Sequence, residues 1–194
     1  MTDERADARE CNDATVIRGG GLNEHAEAHG RYEVECIGAD GRLKWREVID
    51  NVVCTVGKNL ALDIFLAGAA YTVVGPYMGL ISSASFSAVA AGDTMSSHAG
   101  WLEAGGANAP TYTGNRKTAA WSAASAGNKA LSAALSYAIT STGTVKGAFL
   151  VLGSGASATK DDTNGTLWSA GTFTTGDKAV VNGDLLNINY STSL

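Results

Sequence analysis

Three histidines, three cysteines and a few clustered carboxylates are the residues of this chain best suited to chemistry, and their spacing assembles no reaction centre. His25 and His29 stand four apart behind Glu24, so on a helix the imidazoles would share a face. A zinc protease needs His-Glu-x-x-His and a third ligand, whereas Glu27 lies two positions after His25 and no third ligand follows at a useful distance. The segment reads as a charged arm. His98 follows Ser96 and Ser97 in a serine-rich loop, but no Gly-x-Ser-x-Gly elbow joins a strand to a helix, so a serine relay is not encoded. Asp161, Asp162 and Asn164 resemble part of a cation loop, yet no glutamate closes it and Gly165 makes it a hairpin turn.

Two glycine clusters invite a phosphate-loop reading, Gly19-Gly20-Gly21 and Val56-Gly57-Lys58. Neither supplies Gly-x-x-x-x-Gly-Lys-Ser/Thr after a strand, and Lys58 is more simply the exposed flank of a helix. Cys11, Cys36 and Cys54 are odd in number and widely spaced, which fits neither a disulfide framework nor a Cys-x-x-Cys metal site. Cys36 and Cys54 read as small apolar core residues, and the chain as one made in a reducing cytoplasm. The sequence therefore predicts no catalytic, cofactor-binding or metal residue, and a protein that is not an enzyme.

The elements that would position any site begin with a division in charge. Residues 1 to 50 hold 7 of the 14 Lys and Arg but 12 of the 19 Asp and Glu, so the net charge of −5 lies entirely there. An acidic chain without a basic stripe cannot release counterions from a duplex, which argues against direct nucleic-acid binding. No stretch reaches the roughly 18 apolar residues of a membrane span, and residues 1 to 30 lack the apolar core of a signal peptide, so no membrane partner is expected. Residues 1 to 30 offer no continuous apolar face and read as an extended arm, interrupted by the patch Ala14-Thr15-Val16-Ile17. That patch, with Arg18 after it, is suited to adding a strand to a neighbouring subunit.

From Arg31 onward one β domain is predicted, over 31 to 194. Tyr32, Val34 and Cys36 alternate with Arg31, Glu33 and Glu35, and Asp40-Gly41 turns the chain into a second run from Leu43 to Val48. The phase slips between Trp45 and Val48, which a bulge would explain. Val56, Leu60, Ile64 and Phe65, widened by Leu62 and Leu66, predict a short buried helix over 55 to 67, feeding a strand over 71 to 83. Residues 85 to 107 read as a long ordered loop carrying Trp101. Strands are expected over 117 to 124, 130 to 140, 144 to 152, 166 to 173 and 185 to 193, between turn clusters of Gly, Ser, Asp and Asn. The Ala- and Leu-rich run from Ala130 to Tyr137 suits a helical turn as well, but its Ser-Tyr-Ala-Ile-Thr ending favours strand. The fold class is mainly β, a β-sandwich or jelly-roll-like domain with one short helix; strand order stays open.

The order of these pieces resembles a family of small tailed-phage virion proteins. The likeness runs through a Trp-containing hairpin, the helix VGKNLALDIFLAG, the strand AYT-x-x-GPYMGL, the segment GDTMSSHAGWLE and the ending GDK-x-x-x-NGDLLNINY, covering roughly residues 31 to 194. The resemblance implies a non-enzymatic bacteriophage structural protein. The leading expectation is a capsid decoration or cement protein on the outer shell, made in the host cytoplasm, bound to the major capsid protein and to neighbouring copies of itself. The alternative is a tail-associated fibre or adhesin that reads host glycans with aromatic loops. Most Trp and Tyr residues read as core anchors, but Trp101, Tyr112 and Trp121 stand in loop-rich context and are expected, with Val16, Ile17 and Arg18, to contact partners.

Overall fold

The computed structural model describes residues 28–72 and 74–193. Val16, Ile17, Arg18, His25 and the glycine triplet lie outside them. Alternation in sequence becomes alternation in space. β1 (His29–Ile37) buries Tyr32, Val34 and Cys36 completely, while Arg31, Glu33 and Glu35 turn to the other face, where Glu33 pairs with Arg31 and both glutamates pair with Arg46 of β2 (Leu43–Asp50). These exposed pairs add little to stability. β1 sits between β2 and β12 (Leu185–Ser193), antiparallel to both. The other edge of β12 takes β8 (Leu135–Ala138) at one end and β7 (Asn128–Ala130) at the other.

A second antiparallel sheet runs in the order β3 (Val52–Val53), β10 (Thr166–Thr172), β9 (Gly143–Leu152), β4 (Tyr77–Ser82), β5 (Leu102–Ala104). β6 (Lys117–Thr118) pairs with β4 and β11 (Lys178–Val180) with β9. The two sheets make a β-sandwich, as the alternation predicts. Tyrosines bolt them together. Tyr32 of the first sheet reaches the Ser169 hydroxyl of β10 at 2.7 Å, and Tyr137 donates to the Met78 carbonyl of β4 at 2.9 Å. Tyr190 packs on Tyr32 at 4.6 Å and accepts from the Trp168 indole at 3.1 Å. Each ring fills the core while its hydroxyl finds a partner on the facing layer. Tyr32→Phe, which removes one such bond, is expected to cost about 1–3 kcal/mol in urea unfolding with an unchanged denaturant slope.

Several boundaries differ from the sequence reading for local reasons. The bulge falls at Lys44, because Cys36 pairs with Trp45 while Ile37 pairs with Leu43. Lys44 is thereby freed to meet the buried Asp184 carboxylate at 2.6 Å. From Trp45 to Asp50 the register is unbroken. Burial works to raise the Asp184 carboxyl, but the Lys44 ammonium and the Val181 N–H outweigh it and hold the group below its ordinary value. The strand expected over 71 to 83 is confined to Tyr77–Ser82, since Gly75 takes a left-handed φ of 79° and Pro76 brings no N–H. The strand expected over 130 to 140 is confined to Leu135–Ala138, after a bend at 132 and 133 that follows the end of β7, with no helical turn, and β3, β5 and β11 are too short to leave a period in the sequence.

The helix α1 (Thr55–Ala67) has the predicted bounds and ends at Gly68, whose φ of 64° suits a residue without a side chain. It is not a buried helix. Gly57 alone is buried, pressed so closely on Trp168 of β10 that a Cβ there would lie 3.0 Å from the Trp168 carbonyl oxygen. Leu62, Phe65 and Leu66 are 55%, 78% and 81% exposed. The helix leans on the sheet along one line and leaves its other apolar face open.

Candidate functional site

Among the described residues, His98 and the carboxylates of the turns are tied into structural bonds. His98 Nδ1 lies 3.0 Å from the Trp101 carbonyl, and its ring stacks on the Trp101 indole at 3.9 Å. The Asp93 carboxylate accepts from the indole N–H at 2.9 Å and from the Ala90 N–H at 2.9 Å, while Ser96 pairs with Thr94. Among the described residues no hydrogen bond joins His98 to a serine or a carboxylate. Asp161 accepts the Ala107 N–H at 2.8 Å, and Asp162 accepts both the backbone and side-chain N–H of Asn164. These carboxylates brace turns. Among the described residues no group of three or more His, Cys, Asp or Glu is placed to hold a metal ion. Burial pushes the Cys54 thiol up to about 11 and the Cys36 thiol up to about 12, so both stay protonated at neutral pH and unreactive as nucleophiles.

Of the aromatic residues expected at an interface, two belong to the core. Trp101 is 1% exposed, clasped between His98 and Phe149, and Tyr112 is 3% exposed with its ring edge-on to Tyr137. Both depart from the sequence expectation: the loops carrying them fold inward, Trp101 onto Phe149 of β9 and Tyr112 onto Tyr137 of β8. Trp121 remains half-buried, edge-on to Tyr190.

The most strongly organised cluster was invisible in the sequence. Arg116 and Glu103, both buried, form a two-pronged pair with N···O distances of 2.9 and 2.6 Å. The guanidinium also donates to the carbonyls of Ser157 at 3.0 Å and Asp162 at 2.6 Å, and the carboxylate accepts the Asp161 N–H at 2.8 Å. Lys160 completes the arrangement, donating to the carbonyls of Gly105 and Tyr112 with its ammonium 3.9 Å from the Tyr112 ring. Burial lowers the Lys160 ammonium from its ordinary value. The strand β5 and the loops around residues 112 to 116 and 157 to 162 are thus clamped together. A cleft of about 200 Å³ beside the clamp, lined by Met95, His98, Trp101, Leu102, Asn108 and Thr163, brings no nucleophile next to a base. A polar recess of about 290 Å³ where β1 begins holds His29, Arg31, Asp50, Asn51 and Asn128 against the end of β12.

Among the described residues the surface offers one concentrated apolar feature. Leu43, Val52, Leu102 and Val181 are singly exposed, which is ordinary, but Leu62, Phe65 and Leu66 lie together on α1. This face is the candidate functional site. No helix of the described residues is long and apolar enough to cross a membrane. No protein-family model, curated protein or solved structure matches the chain.

Proposed function

We propose that this protein is a non-enzymatic structural component of a bacteriophage particle, a capsid decoration or cement protein that binds the major capsid protein on the outer shell and stabilises the head. The observation that carries the reading is the exposed apolar face of α1 on a sandwich whose loops are otherwise braced, in a chain whose motif order resembles small virion proteins. A decoration protein works by multiplicity. A contact of modest area, repeated over a shell and linked through contacts between copies, resists outward pressure by avidity. A rigid body with one sticky face is suited to that task, and the clamp around Arg116 keeps the loops rigid. The alternative of a glycan-reading tail fibre loses two of its three aromatic candidates, because Trp101 and Tyr112 are enclosed.

The test is the position and stoichiometry of the chain in purified particles, read by quantitative staining against the coat protein and by averaged electron microscopy. Density spread over the shell at a fixed ratio to the coat is the expected result. Density confined to the tail, or absence from particles, would overturn the reading.

A further inference from the structure

We infer that the outer face of α1 is a self-association surface, on which the helix of a second copy packs antiparallel about a twofold axis at Leu62. The inference deepens the self-contact part of the proposed function, and it is tested on isolated protein so that its failure is separate from failure of the head assignment.

At 100° per residue, Val56, Gly57, Leu60, Ala61 and Ile64 point to the sandwich, where α1 packs on β10, and all of them are buried or half-buried. Lys58, Leu62, Phe65 and Leu66 point the opposite way and are exposed. A helix that is apolar on both faces belongs between two layers, and the described residues supply only one. What covers the second face is indicated by the charges. From Asn59 to Thr72 the only charged residue is Asp63, a depletion typical of the centre of an interface. Lys58 stands near the positive end of its own helix, which has no acidic residue in its first turn and no basic residue in its last. That placement is unfavourable in a lone helix. In an antiparallel pair centred on Leu62, position 58 of one copy faces position 66 of the other. Each Lys58 then meets the carbonyl-rich end of the partner helix, and the two helix dipoles oppose. Self-complementarity of this kind is what an isologous contact requires.

Three exposed side chains on a helix about 20 Å long fall short of the roughly 800 Å² per partner of a standard interface. The pair is therefore weak in dilute solution and strengthens where copies are concentrated. Full-length protein is expected to show a concentration-dependent mass rising towards a dimer in sedimentation. Phe65→Asp should raise the dissociation constant about thirtyfold or more while leaving the thermal midpoint nearly unchanged, because that ring touches little within its own copy. In a Cys11→Ser background, Leu62→Cys copies should join to one another under a mild oxidant. Asn59→Cys copies should join poorly to themselves and readily to Phe65→Cys copies. Monomer at every accessible concentration, a dimer indifferent to Phe65→Asp, or Asn59→Cys self-joining ahead of Leu62→Cys would each overturn the inference.

Discussion

Replacing Arg116 with alanine is expected to lower the free energy of unfolding by about 3–5 kcal/mol, which in a chain of this size shifts the thermal midpoint by roughly 6–20 °C. The cost arises from what is left behind. Glu103 is 5% exposed, and without Arg116 its carboxylate keeps only the Asp161 N–H as a partner. Two carbonyls, of Ser157 and Asp162, also lose their donor. Replacing both members of the pair by apolar residues of similar volume, Arg116→Met with Glu103→Leu, should recover much of the loss, because no charge is then stranded.

The Arg116→Ala defect should also depend on pH, with a definite sign. Burial raises the Glu103 carboxyl above its ordinary value even though Arg116 and the Asp161 N–H pull it down. A carboxyl raised on folding binds more protons in the folded than in the unfolded state. Its contribution is therefore full below the ordinary glutamate value of about 4.3 and is lost as pH rises through the folded value. Removing the guanidinium raises the group further. The difference between parent and variant should be largest at neutral pH and shrink as the carboxyl is protonated, towards pH of about 4.5. Urea titrations of both proteins across that window would show it, and a pH-independent difference would mean that lost packing, not a stranded charge, is the cause.

Trp101→Ala is expected to cost about 3–5 kcal/mol, against about 1 kcal/mol or less for Trp121→Ala. The two residues looked alike in sequence, each a tryptophan among small residues. Trp101 is nearly sealed, donating to Asp93 at 2.9 Å and lying 5.1 Å from the Phe149 ring, whereas Trp121 meets Tyr190 only along one edge. A residue that serves a partner would show its effect in assembly and not in unfolding. Parallel thermal melts of the two variants separate these roles, and comparable small shifts would return Trp101 to the list of contact candidates. Trp101→Phe should keep most of the packing and lose the bond to Asp93, giving an intermediate loss.

The legible part of this fold is the part written in short-range periods. Tyr32-x-Val34-x-Cys36 has period two and became one buried face of β1; the run from Leu185 to Ser193 became β12 with the predicted bounds. α1 was equally legible in extent, because Gly68 ends an apolar period of three to four. Its environment was not. A helix with two apolar faces declares that it wants burial but not who provides it, and the described residues cover only one of them.

The sequence alone determined the β-sandwich class, the bounds of the helix α1, the charged face of β1 and the lack of any recognised catalytic spacing. These follow from the side-chain period of each element and from residue types within a few positions of one another. Tertiary structure alone decided that Glu103 and Arg116 would share a buried bond, that Trp101 and Tyr112 would turn inward, and that Leu62, Phe65 and Leu66 would stay outside. The reason is common to all three. Whether a charge, a ring or an apolar stripe is covered depends on segments tens of residues away: the 157 to 162 loop against Arg116, β9 against Trp101, and a single sheet strand against a two-faced helix. No local pattern carries that information, because burial is a property of the assembled layers.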